Sequence, residues 1–200
     1  MNKTIILVRH GYTGEKYKSS FIGSTDVPLS VRGFNQARKV ASRLQKFKGK
    51  IFVSPMKRAM QTAGEIIKKC KQDFTIIPEL KEIDFGDIET LSLTKVMKRY
   101  PDLLSRWMKY EKGFKFPGGE SLKDFNSRVA RAARLILTSE SDNILVVAHG
   151  GVIRVLICFF LKLNLNKSVM FDIKNTSVTT LNLYDDRAVL FGVNDFSHLE

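Results

Sequence analysis

The chain has 200 residues, of which 44% are hydrophobic and 26% charged, a composition that is typical of a globular domain and excludes a disordered chain. Lysine and arginine outnumber aspartate and glutamate by 33 to 20, which gives a formal net charge of +13. A basic surface fits nucleic acid, an anionic membrane or a phosphorylated small molecule, but the sequence has no zinc-finger spacing and no RNA-binding aromatic motif, so we expect no nucleic-acid partner.

Cysteine usage and hydropathy predict a cytoplasmic location. Cys70 and Cys158 have no metal-like spacing, which favours a reducing compartment. The N-terminal apolar run is too short for a signal peptide and meets Arg9. The longest apolar stretch, 152–163, is interrupted by Arg154 and is too short to span a bilayer. We therefore expect no membrane partner, and the oligomeric state, monomer or dimer, stays open.

Strands and helices alternate along the first part of the chain. KTIILVR at 3–9 predicts a buried strand, because its apolar residues are continuous and β-branched. Further strands are predicted for KIFVSP (50–55) and DFTIIPEL (73–80), with a helix at 57–70 between them. An earlier helix is predicted to begin after Ser30, an N-cap residue. Its apolar face consists of Phe34, Ala37, Ala41 and Leu44.

The second part of the chain contains a segment of different character, 91–120, which we interpret as a small helical cap inserted into a single domain of residues 1–200. It is rich in aromatic residues and is broken at Pro101. A helix, a buried strand ending at His149, another helix and a hairpin with an Asp185–Asp186 turn follow. This order predicts an α/β fold with a mostly parallel sheet covered by helices on both faces.

The cap mixes aromatic and basic side chains, and two interpretations of it stay open. It forms either an aromatic and cationic lid over a phosphorylated substrate or a small satellite core with its lysines in water. The aromatic residues are Trp107, Tyr110, Phe114 and Phe116, and the basic residues are Arg106, Lys109, Lys112 and Lys115.

Two of the three histidines end predicted strands and are followed by glycine. In open parallel sheets, sites form at the carboxyl ends of strands, where His10 and His149 both fall. If their strands are neighbours, the two imidazoles meet. The third histidine, His198, lies near the C-terminus, and we assign it no role.

Charged residues accompany these histidines at the same edge of the predicted sheet. Arg9 precedes His10, Arg58 follows the second strand, and Glu82 follows the third. Arginine presents a fork of donors that suits phosphate. A neutral imidazole can carry a phosphoryl group, and a carboxylic acid can protonate the leaving alkoxide. The set predicts phosphoryl transfer that needs no metal and no cofactor.

Six blocks of the sequence resemble, in order, the motifs of the histidine phosphatase superfamily, also called the phosphoglycerate-mutase-like family. An Arg-His-Gly tripeptide alone is weak support, but the blocks together cover nearly the whole chain. They are LVRHGYT, FIGSTDVPLSVRG, SPMKRAMQTA, LKEIDFGDIE, PGGESLKDFNSRV and VVAHGGVIR.

The resemblance implies a three-layer α/β/α sandwich and assigns the chemical roles. By this resemblance His10 is the phosphorylated nucleophile, Arg9, Arg58 and His149 form the phosphate pocket, and Glu82 is the acid–base group. The expected substrate-binding residues are Gly11, Lys16, Ile22, Gly23, Ser121 and Gly150.

Some of these positions depart from the family's pattern. Lys16 stands where the family often has a phosphate-contacting asparagine, and Ile22 stands where it commonly has a polar residue. Ser121 is equally plausible as a helix N-cap. These departures leave the chemical residues intact and bear on substrate identity.

The function implied is a metal-independent phosphomonoesterase that acts through a phosphohistidine on a small phosphorylated metabolite. The chain lacks the long insertion of cofactor-dependent phosphoglycerate mutases, which favours hydrolysis, and PGGES with NDFSHLE is similar to alpha-ribazole phosphatases. The alternatives are a phosphoglycerate mutase, a non-catalytic binder of a phosphorylated ligand or of nucleic acid, and a metal-dependent hydrolase with His10, His149, Glu82 and Asp84 as ligands.

Overall fold

A six-stranded sheet forms the middle of the computed structural model, which describes residues 2–185 and 187–200. Its strands are β1 (Lys3–Arg9), β2 (Lys50–Val53), β3 (Phe74–Ile76), β4 (Asn143–Ala148), β5 (Val178–Leu183) and β6 (Ala188–Asp195). The strand order is β3-β2-β4-β1-β5-β6. The first four in this order are mutually parallel, and β5 runs antiparallel to both β1 and β6. The sheet is therefore mostly parallel, as predicted, and Asp186 of the predicted hairpin turn lies outside the described residues.

Helices cover both faces of the sheet, so the predicted α/β/α layering is confirmed. They are α1 (Val31–Arg43), α2 (Lys57–Cys70), α3 (Leu93–Arg99), α4 (Leu103–Met108), α5 (Leu122–Leu137) and α6 (Gly150–Phe160). Along β4, Ile144 and Val146 join a cluster with α5 and α6, while Leu145 and Val147 join the opposite cluster with α1 and α2. This alternation is the two-residue period of a strand that is buried on both faces.

The helix boundaries follow from capping residues. Ser30 accepts a hydrogen bond of 3.1 Å from the Gly33 N–H at the start of α1, and Ser121 accepts one of 3.0 Å from Asp124 N–H at the start of α5. Each such cap is worth about 1 kcal/mol. The first glycine after His149 already belongs to α6.

The third strand is shorter than predicted. Only Phe74–Ile76 pair with β2, and a 3-10 helix at Pro78–Leu80 replaces the rest of the predicted strand. Pro78 has no N–H to donate to a ladder, so the strand cannot continue through it. The chain turns there toward the loop that carries Glu82.

The cap of residues 91–120 contains α3 and α4, which Pro101 separates as predicted. Phe114 and Phe116 are buried, and the Phe116 ring meets Phe85 edge-on at 5.0 Å and Trp107 at 5.2 Å. The cap is thus packed against the domain rather than free. Among the described residues, no helix is both long and apolar enough to cross a membrane.

Candidate active site

His10 and His149 occupy matched positions at the carboxyl ends of the neighbouring strands β1 and β4. The N–H of His10 donates to the Ala148 carbonyl at 3.0 Å, which extends the parallel ladder by one residue. The two ring centroids lie 5.1 Å apart, with 57° between the ring planes. The imidazoles therefore meet as predicted, tilted rather than stacked.

The surroundings of His10 hold its ring neutral and define its tautomer. Its Nδ1 lies 2.8 Å from the Gly11 carbonyl, which can only accept, so Nδ1 carries the proton and Nε2 keeps its lone pair. Burial lowers the pKa of His10 well below 6.5, and the charges of Arg58 and Arg9 lower it further. A neutral imidazole with an exposed lone pair is a nucleophile.

His149 is also neutral but is held differently. It is fully buried, its Nε2 lies 2.8 Å from Ser54 Oγ, and its Nδ1 has no hydrogen-bond partner among the described residues. Burial lowers its pKa well below 6.5, followed by the charges of Arg58 and His10. A hydroxyl that donates to Nε2 leaves the proton on Nδ1, where it is available to an anion.

The guanidinium groups of Arg9 and Arg58 are fixed by backbone carbonyls. Arg9 Nη1 donates to the Ile173 carbonyl at 2.6 Å, and Arg58 donates from Nη1 to the Thr25 carbonyl at 2.9 Å and from Nη2 to the Gly23 carbonyl at 2.8 Å. Burial lowers the pKa of both arginines, and the carboxylate of Glu82 counteracts this effect. Their orientation is thus set before any ligand arrives.

Several buried nitrogens at this edge of the sheet have no partner within the described part of the chain. They include Nε of Arg9 and Arg58 as well as Nδ1 of His149. A buried donor without a partner costs about 1–3 kcal/mol, and more when it is charged. A tetrahedral anion presents several acceptor oxygens, so it would satisfy such donors together. The N-terminus of α6 lies directly beside them and also favours negative charge.

Glu82 is held beside this pocket by two backbone groups. Its side chain is nearly buried, Oε1 accepts from the Ile83 N–H at 3.0 Å, and Oε2 accepts from the Gly151 N–H at 2.9 Å. Arg9, His10 and Glu82 line the same cavity. The acid–base candidate therefore faces the nucleophile candidate, as the phosphoryl-transfer hypothesis requires.

Arg128 of α5 holds the loop that carries Glu82. Its Nη1 donates to the carbonyls of Glu79 (2.9 Å) and Lys81 (2.6 Å), and its Nη2 donates to the carbonyl of Glu82 (2.9 Å). Glu120 fixes the guanidinium in turn by accepting from Nε at 2.7 Å. One side chain thus binds three carbonyls of an irregular loop. It affects the reaction only through the position of Glu82.

Glu89 plays the corresponding role for Arg58. Its carboxylate accepts from the backbone N–H groups of Gly23, Ser24 and Thr25, at distances from 2.8 to 3.3 Å. The carbonyls of Gly23 and Thr25 are the two that receive the Arg58 guanidinium. A single carboxylate therefore shapes the turn that orients a phosphate-binding arginine.

The active-site cavity has a volume of about 360 Å³, near the lower end of the range for small-molecule sites. Its wall combines charged and aromatic side chains. The charged and titratable ones are Arg9, His10, Lys18, Glu82 and Arg154, and the aromatic ones include Phe21, Phe85, Trp107, Tyr110 and Phe125. Lys109, Lys112 and Lys115 of the cap are exposed and lie outside the cavity, so the lid is aromatic rather than cationic.

Of the expected substrate-binding residues, Ile22 and Gly150 line the cavity. Gly11 and Gly23 lie behind it and act through their backbones: Gly11 N–H donates to Thr62 Oγ1 at 3.0 Å, and Gly23 supplies a carbonyl to Arg58. Glycine is required at position 11, because a Cβ there would lie 2.5 Å from the Gly33 carbonyl oxygen.

Lys16 and Ser121 lie outside the cavity. Lys16 is exposed, with its Nζ 5.5 Å from the centroid of the Tyr17 ring, and Lys18 rather than Lys16 reaches the cavity wall. The Ser121 hydroxyl is occupied by the first turn of α5, where it also donates to Asp124 Oδ2 at 2.7 Å. The structure thus favours the capping interpretation of Ser121.

The residues proposed as ligands of a catalytic metal are not assembled as a metal site. Within residues 2–185 and 187–200, no group of three or more His, Cys, Asp or Glu side chains is placed to hold a metal ion. The carboxylate of Asp84 instead accepts from Ser24 Oγ at 2.8 Å and from the Gly86 N–H at 2.9 Å.

Several contributors to the site escaped the sequence analysis. Arg154 had a usable signal, because a charge inside an otherwise apolar helix is rarely buried without a purpose. Ser54, Thr62, Glu89 and Arg128 lie inside the matched motif blocks, but the motifs did not indicate their contacts, whose partners lie far away in sequence. Asn175 lies outside the blocks, and its Nδ2 donates to the His10 carbonyl at 3.0 Å.

The fold and the site define an α/β enzyme with two neutral histidines in an anion pocket at the carboxyl edge of its sheet. The chain belongs to the histidine phosphatase superfamily (branch 1), whose family model matches residues 5–196. The resemblance found in the motifs is thereby confirmed, and the protein is a phosphatase of this superfamily.

Its relatives carry different substrate names. The chain is 33% identical over 202 residues to phosphoglycerate mutase-like protein 4 of Arabidopsis thaliana, covering 98% of this chain and 86% of that protein. It is 29% identical to phosphoserine phosphatase 1 of Hydrogenobacter thermophilus, covering 98% and 93%. The crystal structure of the alpha-ribazole phosphatase from Shigella flexneri superposes with a TM-score of 0.85 at 27% identity, covering 96% of each chain.

Proposed function

We propose that the protein hydrolyses a small phosphomonoester through a phosphohistidine at His10 and without a metal ion. The observation that carries the proposal is the state of His10. Its Nδ1 proton is engaged by Gly11, its Nε2 has no partner among the described residues, and Arg9 and Arg58, whose Nε groups are unpartnered, lie close enough to lower its pKa. A nucleophile and donors for the transferred group are thus already in place.

In the first step, the Nε2 lone pair of His10 attacks phosphorus and the bond from phosphorus to the ester oxygen breaks. The carboxylic acid of Glu82 gives its proton to the leaving alkoxide, so an alcohol departs. Arg9, Arg58 and the Nδ1–H of His149 stabilise the charge on the equatorial oxygens of the phosphoryl group.

In the second step, water replaces the histidine. Glu82, now a carboxylate, takes a proton from water as the water oxygen attacks phosphorus, and the bond from phosphorus to Nε2 breaks. Inorganic phosphate leaves, His10 is neutral again and Glu82 is protonated again, so the cycle closes without a further reactant.

The substrate is a small phosphorylated metabolite. The PGGES and NDFSHLE motifs and the likeness to the Shigella protein make alpha-ribazole phosphate one candidate, and the aromatic wall formed by Phe21, Trp107 and Tyr110 suits a ring. The name of the Hydrogenobacter relative makes phosphoserine another. The two candidates differ in that phosphoserine carries a carboxylate and alpha-ribazole phosphate does not, and Arg154 in the cavity wall can distinguish them.

The test is phosphate release from p-nitrophenyl phosphate and a panel of small phosphate esters in excess chelator. Wild type, His10→Ala and the control Arg131→Gln are compared, because Arg131 is an exposed residue of α5. We expect release by wild type and by the control, and a loss of more than about 10³-fold in His10→Ala. After quenching, we expect an acid-labile phosphoryl group on wild type and the control but not on His10→Ala.

Other outcomes would replace the proposal. Transfer of phosphate between positions of phosphoglycerate that depends on a bisphosphorylated primer would identify a mutase. Binding of phosphate esters without any release would identify a non-catalytic binder. Activity that chelation abolishes would overturn the metal-independent mechanism.

A further inference from the structure

Arg154 is an arginine of the active-site cavity that the proposed phosphoryl chemistry leaves unused. It lies on the first turns of α6, and its side chain lines the cavity. Its Nε is buried without a partner, and within the described part of the chain its guanidinium makes no hydrogen bond or ion pair. Leaving this buried N–H donor without a partner is costly, which indicates that a ligand completes it.

No carboxylate of the cavity wall is free to pair with Arg154. Glu82 is the one acidic residue among the described lining residues, and its two oxygens are held by Ile83 and Gly151. Asp172 acts on Arg9 from an exposed position, and the described residues include no ion pair between Asp172 and Arg154. The positive charge of Arg154 therefore faces the cavity uncompensated.

The position of Arg154 relative to the phosphate pocket sets the size of the ligand. A Cβ on Gly150 would lie 3.6 Å from Arg9 Nε, so the helix meets the phosphate pocket at that residue. Arg154 is four residues further along, which is about 6 Å of helix axis and one turn, on the same face. An anionic group that reaches Arg154 belongs to the same small molecule as the phosphate.

We propose that Arg154 binds a carboxylate of the substrate, so that the preferred substrates are phosphate esters of small hydroxy acids. The open Nε and its neighbouring Nη form the side-on fork that receives a carboxylate in two parallel hydrogen bonds. The inference rests on the proposed function and extends it to substrate class. Alpha-ribazole phosphate has no carboxylate, so its aromatic base cannot use this residue in the same way.

The test uses substrates that differ only in the carboxylate. O-phosphoserine is compared with O-phosphoethanolamine, and 3-phosphoglycerate with glycerol 3-phosphate, by kcat/KM. The enzymes are wild type, Arg154→Gln, Arg154→Lys and the control Arg131→Gln, which changes an exposed arginine of α5.

We expect wild type and the control to prefer the acid of each pair by roughly 10- to 100-fold, the strength of a charged hydrogen-bonded contact. Arg154→Gln erases the preference and leaves p-nitrophenyl phosphate within about twofold, and Arg154→Lys restores part of it. The proposal would be overturned if wild type hydrolysed both members of each pair at equal rates, or if Arg154→Gln lowered kcat/KM equally for both members. It would also be overturned by a clear preference for alpha-ribazole phosphate that Arg154→Gln leaves intact.

Failure of the proposed function is distinguishable from failure of this inference. If wild type releases phosphate from no ester, calorimetric titration with 3-phosphoglycerate and glycerol 3-phosphate still measures the subsite. Tighter binding of the acid that disappears in Arg154→Gln supports the carboxylate site even then, and equal affinities overturn it.

Discussion

The N–H of Gly151 and the carboxylate of Glu82 are joined by a hydrogen bond of 2.9 Å, although the two residues are 69 positions apart. The helix that follows His149 thereby holds the proposed acid–base group beside the proposed nucleophile, His10. The contact leaves no room for a side chain, because a Cβ on Gly151 would lie 2.5 Å from Glu82 Oε1. The observed position of the Glu82 carboxylate therefore requires glycine at position 151.

Gly151→Ala is expected to displace Glu82 and slow hydrolysis of alkyl phosphates by roughly 10²- to 10⁴-fold, the usual contribution of general acid–base catalysis. Loss should be smaller for p-nitrophenyl phosphate, whose leaving group needs less protonation. The control is Gly64→Ala in α2, where a Cβ meets nothing within 4 Å. It should leave kcat unchanged and stabilise the helix by about 0.5–1 kcal/mol. Equal losses on both substrates would show that Gly151 acts elsewhere.

Arg128→Gln is expected to lower kcat more than it raises KM, because Arg128 positions Glu82 without touching the substrate. A loss of roughly 10- to 100-fold in kcat is reasonable for a misplaced catalytic group. The free energy of unfolding should also fall by about 1–3 kcal/mol, since Glu120 loses its partner. Arg131→Gln, one turn along the same helix and exposed, is the control. Kinetics and urea titration together separate the two effects, and a change in stability with kcat intact would reduce Arg128 to a structural role.

Lys18→Gln is expected to raise KM by roughly two- to fivefold at low salt, whereas Lys16→Gln leaves it unchanged. Lys18 lines the cavity and Lys16 does not. Because the Lys18 side chain is largely exposed and shared with Glu15, the effect should vanish in high salt. KM measured for a dianionic ester at two ionic strengths checks this. A larger effect at Lys16 would restore the assignment suggested by the family pattern.

Acid should destabilise the protein through its two buried histidines. Burial, then neighbouring arginines, lowers the pKa of His10 and His149 well below 6.5. In the unfolded chain both titrate near about 6.5. As pH falls below that value, the two histidines bind protons in the unfolded state but not in the folded state. The free energy of unfolding therefore decreases until the pH reaches the pKa values of the two histidines in the folded state. Each group contributes at most about 1.4 kcal/mol per pH unit.

The comparison is made by urea unfolding at pH 7.5 and pH 5.5 for wild type and His10→Asn. The variant should lose less stability on acidification than wild type, because it lacks the imidazole that is protonated only in the unfolded state. Every carboxylate remains, so their contribution to the pH dependence is unchanged. Identical pH dependence in both proteins would contradict a depressed pKa at His10.

The sequence pattern located the chemistry because that chemistry sits at strand ends. His10, His149 and Arg9 follow directly from two buried strands, and adjacency of these strands is a common outcome in open parallel sheets. Arg58 and Glu82 were placed at the same edge because they follow the second and third predicted strands, and the family motifs then gave them the same positions in the site. The edge strand β3 was overestimated, because apolar residues around Pro78 look continuous in sequence but cannot continue a ladder.

The supporting residues could not be predicted in the same way. Arg128 and Glu82 are 46 positions apart, and Glu89 and Gly23 are 66 apart. Such contacts depend on how two irregular loops pack after the sheet has formed, and neither residue type nor periodicity encodes them. Lys16 shows the opposite difference: its position corresponds to a phosphate-contacting residue of the family, but the side chain lies over the Tyr17 ring and does not line the cavity.

Trp107, the sole tryptophan of the chain, stands in the wall of the cavity and meets Phe116 at 5.2 Å. Indole emission depends on the polarity and quenching groups around the ring, so the protein carries an intrinsic optical reporter at its own substrate site. Fluorescence of the unlabelled enzyme can therefore follow ligand arrival, product departure and movement of the cap in real time, including for substrates whose hydrolysis gives no colour.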